Sequence, residues 1–328
     1  MDHPMTIAVT GATGFVGRHT VAELARRGHS VRALVRDPDK AARVLDTESL
    51  ADRLELVRGD LFDADARVRM LDGADACVHT VGIIREAPGG QTFGRVHDLG
   101  TRLVVESCQG SRCGRIVHVS ALGVHDDGDT AYQRSKAAAE SHVRSSGLDW
   151  TILRPSLIHG PDGEFIQTAK GWVTGKAPPH VFIPYFQRHV SGPPIPGLAR
   201  LEDAVLMPVA VEDVAWAIGE TLERPEASGE VYNLVGPERV TMPELLGVLR
   251  ERVPLAKGLP MIPLPDTVGV AVARVAGLVG LGPMLPYDAG MATMAGRDST
   301  ATLDKAREHL GFSPRPCLSR VAEYADRI

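Results

Sequence analysis

The chain has 328 residues, 44% of them hydrophobic and 23% charged, so it can bury a substantial core and is not disordered as a whole. At about 150 residues per domain, that length suggests one large domain or two modest ones. Basic residues number 36 against 41 acidic ones, net −5, with no basic block longer than two, which argues against nucleic acid and against a polybasic membrane patch.

Residues 6–10 (TIAVT) read as a buried strand. Gly14–Arg27 reads as a helix, with Val16, Val21, Leu24 and Ala25 at helical spacing and Gly28 as its stop. Further strands are expected at Ser30–Val35, Leu54–Val57, Ala76–Val81, Arg115–Ser120 and Asp149–Leu153. Helical patterns fill the gaps, notably Phe93–Cys108 and Thr130–Ser145. Strand–helix alternation over this length predicts an α/β fold, a parallel sheet with helices on both faces. Parallel strands are covered on both sides, which is why they read as apolar runs and not as alternation.

The second half is less regular. Pro178–Pro208 contains nine prolines and glycines, with Trp172, Phe182, Tyr185 and Phe186 close by. Proline lacks a backbone donor and fixes φ, so this stretch reads as a long loop with short pieces, without a long helix or a central strand. Beyond it, Val211–Leu222 reads as a helix, Val231–Val235 as a strand and Met242–Val253 as a helix opened by a Thr241/Glu244 capping box. Asp266–Leu278, Asp288–Ala295 and Asp304–Leu310 look helical, the last capped by Gly311. The apolar stretch Val268–Leu285 is interrupted by Arg274 and Pro283 and is too broken to span a bilayer. Met1–Met5 lacks a signal pattern, and a cytoplasmic location is expected. The four cysteines, at 77, 108, 113 and 317, match no zinc spacing; buried or free thiols are expected, and no metal site.

The first strand and helix are joined by Thr10-Gly11-Ala12-Thr13-Gly14-Phe15-Val16-Gly17. A helix N-terminus offers unpaired N–H groups and the positive end of its dipole, and glycine lets backbone approach phosphate oxygens closely. Strand before and helix after are the context this motif requires, so Gly11, Thr13, Gly14, Phe15, Val16 and Gly17 are expected to hold a dinucleotide; the plain alternative is a tight strand–helix turn. After the second strand, an acidic residue would bond the ribose 2′-hydroxyl of NAD, whereas an arginine accommodates the 2′-phosphate of NADP. Here Arg36 precedes Asp37, with Arg18 and Lys40 as further charges, and NADP(H) is favoured. The alternative is a solvated Arg36 with Asp37 on the ribose.

Tyr132 and Lys136 stand at i and i+4 of a predicted helix and share one face. A nearby ammonium lowers the pKa of a phenol from about 10, which would make Tyr132 a usable acid or base. Ser120, at the end of the fifth strand, would hold a substrate carbonyl oxygen. The plain alternative is a solvated helix face.

With these pieces in order, the chain resembles the extended or atypical short-chain dehydrogenase/reductases. The matching segments are TGATGFVG (10–17), GDLFD (59–63), HVSALG (118–123), YQRSK (132–136), LRPSLIHG (153–160) and PVAVEDVAWAI (208–218). Three further runs, VHTVGIIRE (78–86), SAL (120–122) and DWTILRPS (149–156), are most similar to the NADPH-binding accessory subunit of respiratory complex I and its free-standing relatives. The resemblance implies a Rossmann-type doubly wound sheet over 1–160, with sheet segments returning around 205–235, and a smaller substrate or partner region over 161–328. It implies that Gly11, Gly14 and Gly17 line the diphosphate, that Asp60 and Leu61 meet the adenine, and that Thr80, Val81 and Gly82 line a cofactor ribose. Lys136 would also bind the nicotinamide ribose, Pro155 the carboxamide, and Tyr132, Lys136 and Ser120 would form the catalytic set. One position departs: His97 stands where relatives often carry an asparagine that holds a relay water. It would either shuttle protons or simply pack.

The reading is an NADP(H)-dependent oxidoreductase acting on a carbonyl or alcohol of a small molecule. One alternative is a non-catalytic NADPH-holding protein that docks on a respiratory or regulatory partner; another is a nucleotide-sugar epimerase or dehydratase. A homo-oligomer is compatible with each. Phe165, Trp172, Phe182, Tyr185 and Phe186 would form an apolar lid over a lipophilic substrate, or else pack a proline-rich loop.

Overall fold

Each apolar run of the first half forms a strand of one sheet, and the central strands are buried on both faces. The computed structural model describes residues 4–328 apart from 194, 196, 197, 199, 283 and 284. Residues 1–3 of the leading segment, and Pro283, lie outside the described residues. In chain order the strands are β1 (Thr6–Thr10), β2 (Ser30–Val35), β3 (Leu54–Arg58), β4 (Ala76–His79), β5 (Arg115–Val119), β6 (Asp149–Pro155), β7 (Ile158–His159), β8 (Ile183–Ser191), β9 (Arg200–Glu202), β10 (Val205–Leu206), β11 (Val209–Ala210), β12 (Glu230–Leu234), β13 (Val240–Thr241) and β14 (Met261–Pro265). The helices are α1 (Phe15–Arg26), α2 (Pro38–Val44), α3 (Ala64–Leu71), α4 (Gly100–Gln109), α5 (Ala131–Arg144), α6 (Glu164–Val173), α7 (Val211–Glu223), α8 (Met242–Arg252), α9 (Asp266–Leu278), α10 (Ala289–Ala295), α11 (Asp304–Leu310) and α12 (Cys317–Ala325).

Two units make up the chain. The first comprises the chain up to Pro155 with Val211–Leu234 and Thr302–Ser313. Its seven-stranded sheet runs β12-β6-β5-β4-β1-β2-β3, parallel throughout. The chain leaves β1 toward β2 on one side and returns to β4 on the other. That reversal opens a crevice at the carboxyl end of β1, where α/β proteins of this topology bind ligands. On one face, Ala8, Cys77, Ile116 and Ile152 pack against Met70, Leu71, Val104, Val105, Cys108 and Val143 of α3, α4 and α5. Each fully buried Ile or Leu there contributes about 1.5–3 kcal/mol of transfer free energy. On the other face α1 and α7 pack together. Arg27 lies over Gly219 and pairs with Glu23, Glu220 and Glu223 at 2.8–2.9 Å, which fixes the helix that the glycine turn opens.

The second unit comprises Ser156–Ala210, Val235–Ala301 and Pro314–Ile328. Its core joins α6, α8 and α12 through Ile166, Val173, Leu245, Leu249 and Val321, with Ile183 of β8. Here the proline-rich stretch departs from expectation: β8 is nine residues long and central in the sheet β14-β8-β9. The one proline inside it costs little. Ile183 donates to Pro260 O (2.8 Å), so the position of Pro184 faces the opposite edge, where β9 begins to pair only at Arg188. Nor is Phe93–Cys108 one helix, since a π-helical turn over Gly94–Leu99 precedes α4. The terminal helix α12 escaped the sequence reading, although Cys317, Val321, Tyr324 and Ala325 lie on one buried face. Among the described residues no helix is long and apolar enough to cross a membrane.

Candidate active site

The glycine turn is built for close backbone approach. Gly11 adopts φ +76°, and a Cβ there would stand 2.7 Å from Thr80 Oγ1 and 3.0 Å from Val81 N. A Cβ on Gly17 would fall 2.1 Å from Gly11 O, so only glycine lets the first turn of α1 lie on the loop. Gly14 donates to Gly11 O (2.8 Å) and serves as N-cap without any side-chain acceptor. The first-turn donors around Thr13, Phe15 and Val16 are therefore left uncapped by any side chain, as an anionic ligand requires. Thr80 gives both its hydroxyl (2.8 Å) and its N–H (3.2 Å) to Thr10 O, tying the segment after β4 to the turn.

Beyond β2, Arg36 is exposed and its side chain makes no hydrogen bond or ion pair among the described residues. Asp37 is differently engaged: its carboxylate caps α2 by accepting from Lys40 N–H (3.0 Å), which holds its pKa below the usual range. Asp60 accepts from Phe62 N–H (3.0 Å) and shapes the turn after β3. Leu61 is buried; its carbonyl takes a 2.7 Å bond from Arg67.

The capping box of Thr130 and Gln133 starts α5, so Tyr132 sits in the first turn and Lys136 one turn deeper. Lys136 is buried and donates to Val119 O (3.0 Å) at the end of β5. A Cβ on Gly82 would lie 3.2 Å from Lys136 Nζ, so the segment after β4 passes directly over the ammonium. The glycine turn, Thr80–Gly82, Lys136 and Tyr132 thus form one continuous edge. Pro155 closes it at the end of β6, its carbonyl accepting from Leu122 N–H (2.8 Å).

Three expectations change here. Tyr132 packs edge-on against Phe93 (5.7 Å) and His97 (5.4 Å), and burial pushes its phenol up to about 12 instead of Lys136 lowering it. Lys136 bears the shift in its own acid constant: burial pushes it down to about 8, partly opposed by the Glu140 carboxylate. Ser120 commits its only hydroxyl hydrogen to Glu140 Oε1 (2.6 Å), so in this geometry it has no donor to offer a substrate carbonyl. His97 packs against Phe93 and is hydrogen-bonded at both ring nitrogens. Ile83 N–H donates to its Nε2 (3.0 Å), which leaves the proton on Nδ1, 2.8 Å from Ser135 Oγ. Burial, aided by the Lys136 charge, pushes this histidine down to about 2, so it stays neutral. The aromatic residues of the second unit form no single lid. Phe165, Trp172 and Tyr185 pack on the α6/α8/α12 core, whereas Phe186 stacks edge-on with Tyr287 (4.9 Å), because successive strand residues point to opposite faces.

Residues that sequence reasoning missed are Glu140, Arg154 and the histidines 79 and 118. Glu140 could have been found, since it continues the 132/136 face one turn further. Arg154 reaches Glu140 from another strand, in two bonds of 2.7 and 2.6 Å, and left no local signal.

Against known proteins, the NAD(P)H-binding family matches residues 11–176. The chain is 36% identical over 155 residues to the ceramide reductase of Caulobacter vibrioides, covering 47% of each chain. It is 28% identical to NADH dehydrogenase (ubiquinone) 1 alpha subcomplex subunit 9, mitochondrial, of Dictyostelium discoideum, over 75% of this chain and 63% of that one. The chain therefore spans roughly half to under two thirds of these relatives' length. Among solved structures, that of gox2253 superposes with a TM-score of 0.69 at 26% identity, covering 98% of this chain and 96% of that one.

Proposed function

Because the chain belongs to the NAD(P)H-binding family, we propose that it is an NADP(H)-dependent oxidoreductase of the short-chain dehydrogenase/reductase kind, reducing the carbonyl of a small lipophilic substrate. The observation that carries this reading is the continuous edge from the glycine turn through Gly82 to Lys136 and Tyr132. The site fits a dinucleotide on its own geometry: Gly11 and Gly17 leave a cradle that any Cβ would fill, and the first-turn donors of α1 have no side-chain cap. Gly11, Gly14 and Gly17 would take the diphosphate, Asp60 and Leu61 the adenine end, and Lys136 the ribose near Gly82. Arg36, exposed and without a hydrogen bond or ion pair among the described residues, would take a 2′-phosphate, while Asp37 is already committed to its helix cap. A ceramide reductase among the relatives supports a lipophilic carbonyl.

When bound, the cofactor supplies the hydride. The chain supplies the proton. Tyr132, whose phenol burial raises, would hold the proton that a developing alkoxide needs. With Ser120 engaged elsewhere, the Tyr132 hydroxyl is the donor that faces the substrate oxygen.

Tyr132→Phe should bind NADPH as the parent does and lose about 10²–10⁴-fold in turnover, measured as carbonyl-dependent NADPH oxidation. Turnover at the parental rate would remove the phenol from the mechanism. A second reading, a non-catalytic NADPH-holding subunit, draws support from the complex I relative and from the engaged Ser120. It requires tight NADPH binding with no NADPH consumption across carbonyl substrates, whereas an epimerase or dehydratase would form product without net consumption.

A further inference from the structure

We propose that Glu140 is a positioning residue for Lys136: its carboxylate, pinned by Ser120 and Arg154, holds the Lys136 ammonium in place beneath Gly82. The proposal rests on the reading of Tyr132 and Lys136 given above. Glu140 is buried one turn beyond Lys136, on the helix face that carries Tyr132. Four donors converge on its carboxylate. Ser120 Oγ donates at 2.6 Å, Arg154 through Nε at 2.7 Å and Nη2 at 2.6 Å, and Arg144 at 3.2 Å. Burial alone would raise the acid; Arg154 and Ser120 more than reverse it and hold Glu140 ionised.

The clamp reaches Lys136 by two routes. The first is mechanical. Ser120 follows Val119, whose carbonyl holds Lys136 Nζ, so the Ser120–Glu140 bond fixes that acceptor relative to α5. The second is electrostatic. The groups around Lys136 are Tyr132 and Glu140 on α5, His97 on the π-helical turn, His79 on β4 and His118 on β5. The three histidines are pushed down by burial and by Lys136 itself, so all are neutral. Among the described residues, Glu140 is the one carboxylate that acts on the ammonium. Without it, a buried lysine amid neutral rings would lose its proton more readily. Ser120 thereby finds a role that its engaged hydroxyl denies it as an oxygen holder.

A merely structural tie between α5 and β6 would make the same contacts, so the test must read the Lys136 proton itself. The chain has six lysines, and 13Cε-lysine NMR of the full-length protein, with Lys136→Arg to assign the signal, follows its titration. Glu140→Gln should move the Lys136 midpoint down by about one pH unit, a tenfold change in acid constant. Arg154→Gln removes the partner cation and leaves the carboxylate, so it should move the midpoint up. Opposite shifts support the clamp; a structural tie would move both variants the same way. An unchanged midpoint in Glu140→Gln, or shifts of one sign, overturns the proposal. If Glu140→Gln does not fold, Glu140→Asp takes its place: drawing the carboxylate back by one methylene should lower the midpoint in part, and no lowering overturns the proposal. These readings need no turnover, so a protein inert toward every carbonyl would defeat the reductase reading and leave this one standing.

Discussion

At residue 17 a single methyl group would be driven into a backbone carbonyl 2.1 Å away, and the glycine turn would have to open. Constraints of this sort belong to the residue type alone, which is why Gly11, Gly14 and Gly17 were legible in the sequence. That Tyr132 and Lys136 share one helix face was legible from their spacing of four positions. Ser120 was not legible. A hydroxyl has one hydrogen, and which acceptor takes it depends on Glu140, twenty residues away. At this scale the cofactor choice is open to a direct test. Arg36→Glu should weaken NADPH binding by about tenfold or more, since a charge-assisted pair becomes a repulsion, and should change NADH binding far less. Titration of both nucleotides by fluorescence checks it, and equal loss for the two would place Arg36 outside the phosphate site.

Helix α5 shows how an element hands local sequence to function. Thr130 accepts from Gln133 N–H (3.1 Å) while Gln133 reaches back to Thr130 N (3.2 Å), and this box sets where the first turn, with Tyr132, begins. Thr130→Ala should cost about 1 kcal/mol in urea unfolding, and fraying at Tyr132 should lower kcat more than KM. A stability equal to the parent would show that tertiary contacts, not the cap, define this end. Elements also mark where local reading ended. Prolines made 178–208 look irregular, yet β8 holds its place because β14 supplies partners on one edge and leaves Pro184 facing the other. The π-helical turn at Gly94–Leu99 inserts a residue that a 3.6 period does not register, and that turn carries His97 toward Ile83.

On the scale of the whole molecule, a polar row crosses the core between the sheet and α4/α5. His79 bridges Thr10 (2.6 Å) and Thr101 (3.1 Å) and stacks on His118 at 5.4 Å, whose two ring nitrogens have no hydrogen-bond partner among the described residues. Burial, with Lys136 adding to it, pushes His79 down to about 3, His97 to about 2 and His118 well below its ordinary value. Each histidine takes up its proton near pH 6.5 once unfolded but resists it when folded. Their stabilisation is therefore complete above pH 6.5 and is lost as pH falls toward the folded values, at about 1.4 kcal/mol per pH unit for each. Thermal unfolding should show a midpoint that is flat from pH 7 to 8 and falls steadily below 6.5. His118→Leu should make that fall shallower without lowering stability at neutral pH, because it removes a buried ring that bonds nothing. A slope unchanged by the substitution would show that other groups carry the acid sensitivity.

The sequence alone determined the alternating strands and helices, the glycine turn at the carboxyl end of β1 and the paired phenol and lysine. These depend on periodicity, on backbone freedom and on neighbours within one turn, all of which are local. Only the tertiary structure decided that Ser120 gives its proton to Glu140, that His97 is locked by Ile83, and that Tyr132 is raised in pKa and not lowered. Each of those outcomes turns on burial or on a partner from another strand or helix, and no spacing along the chain encodes either.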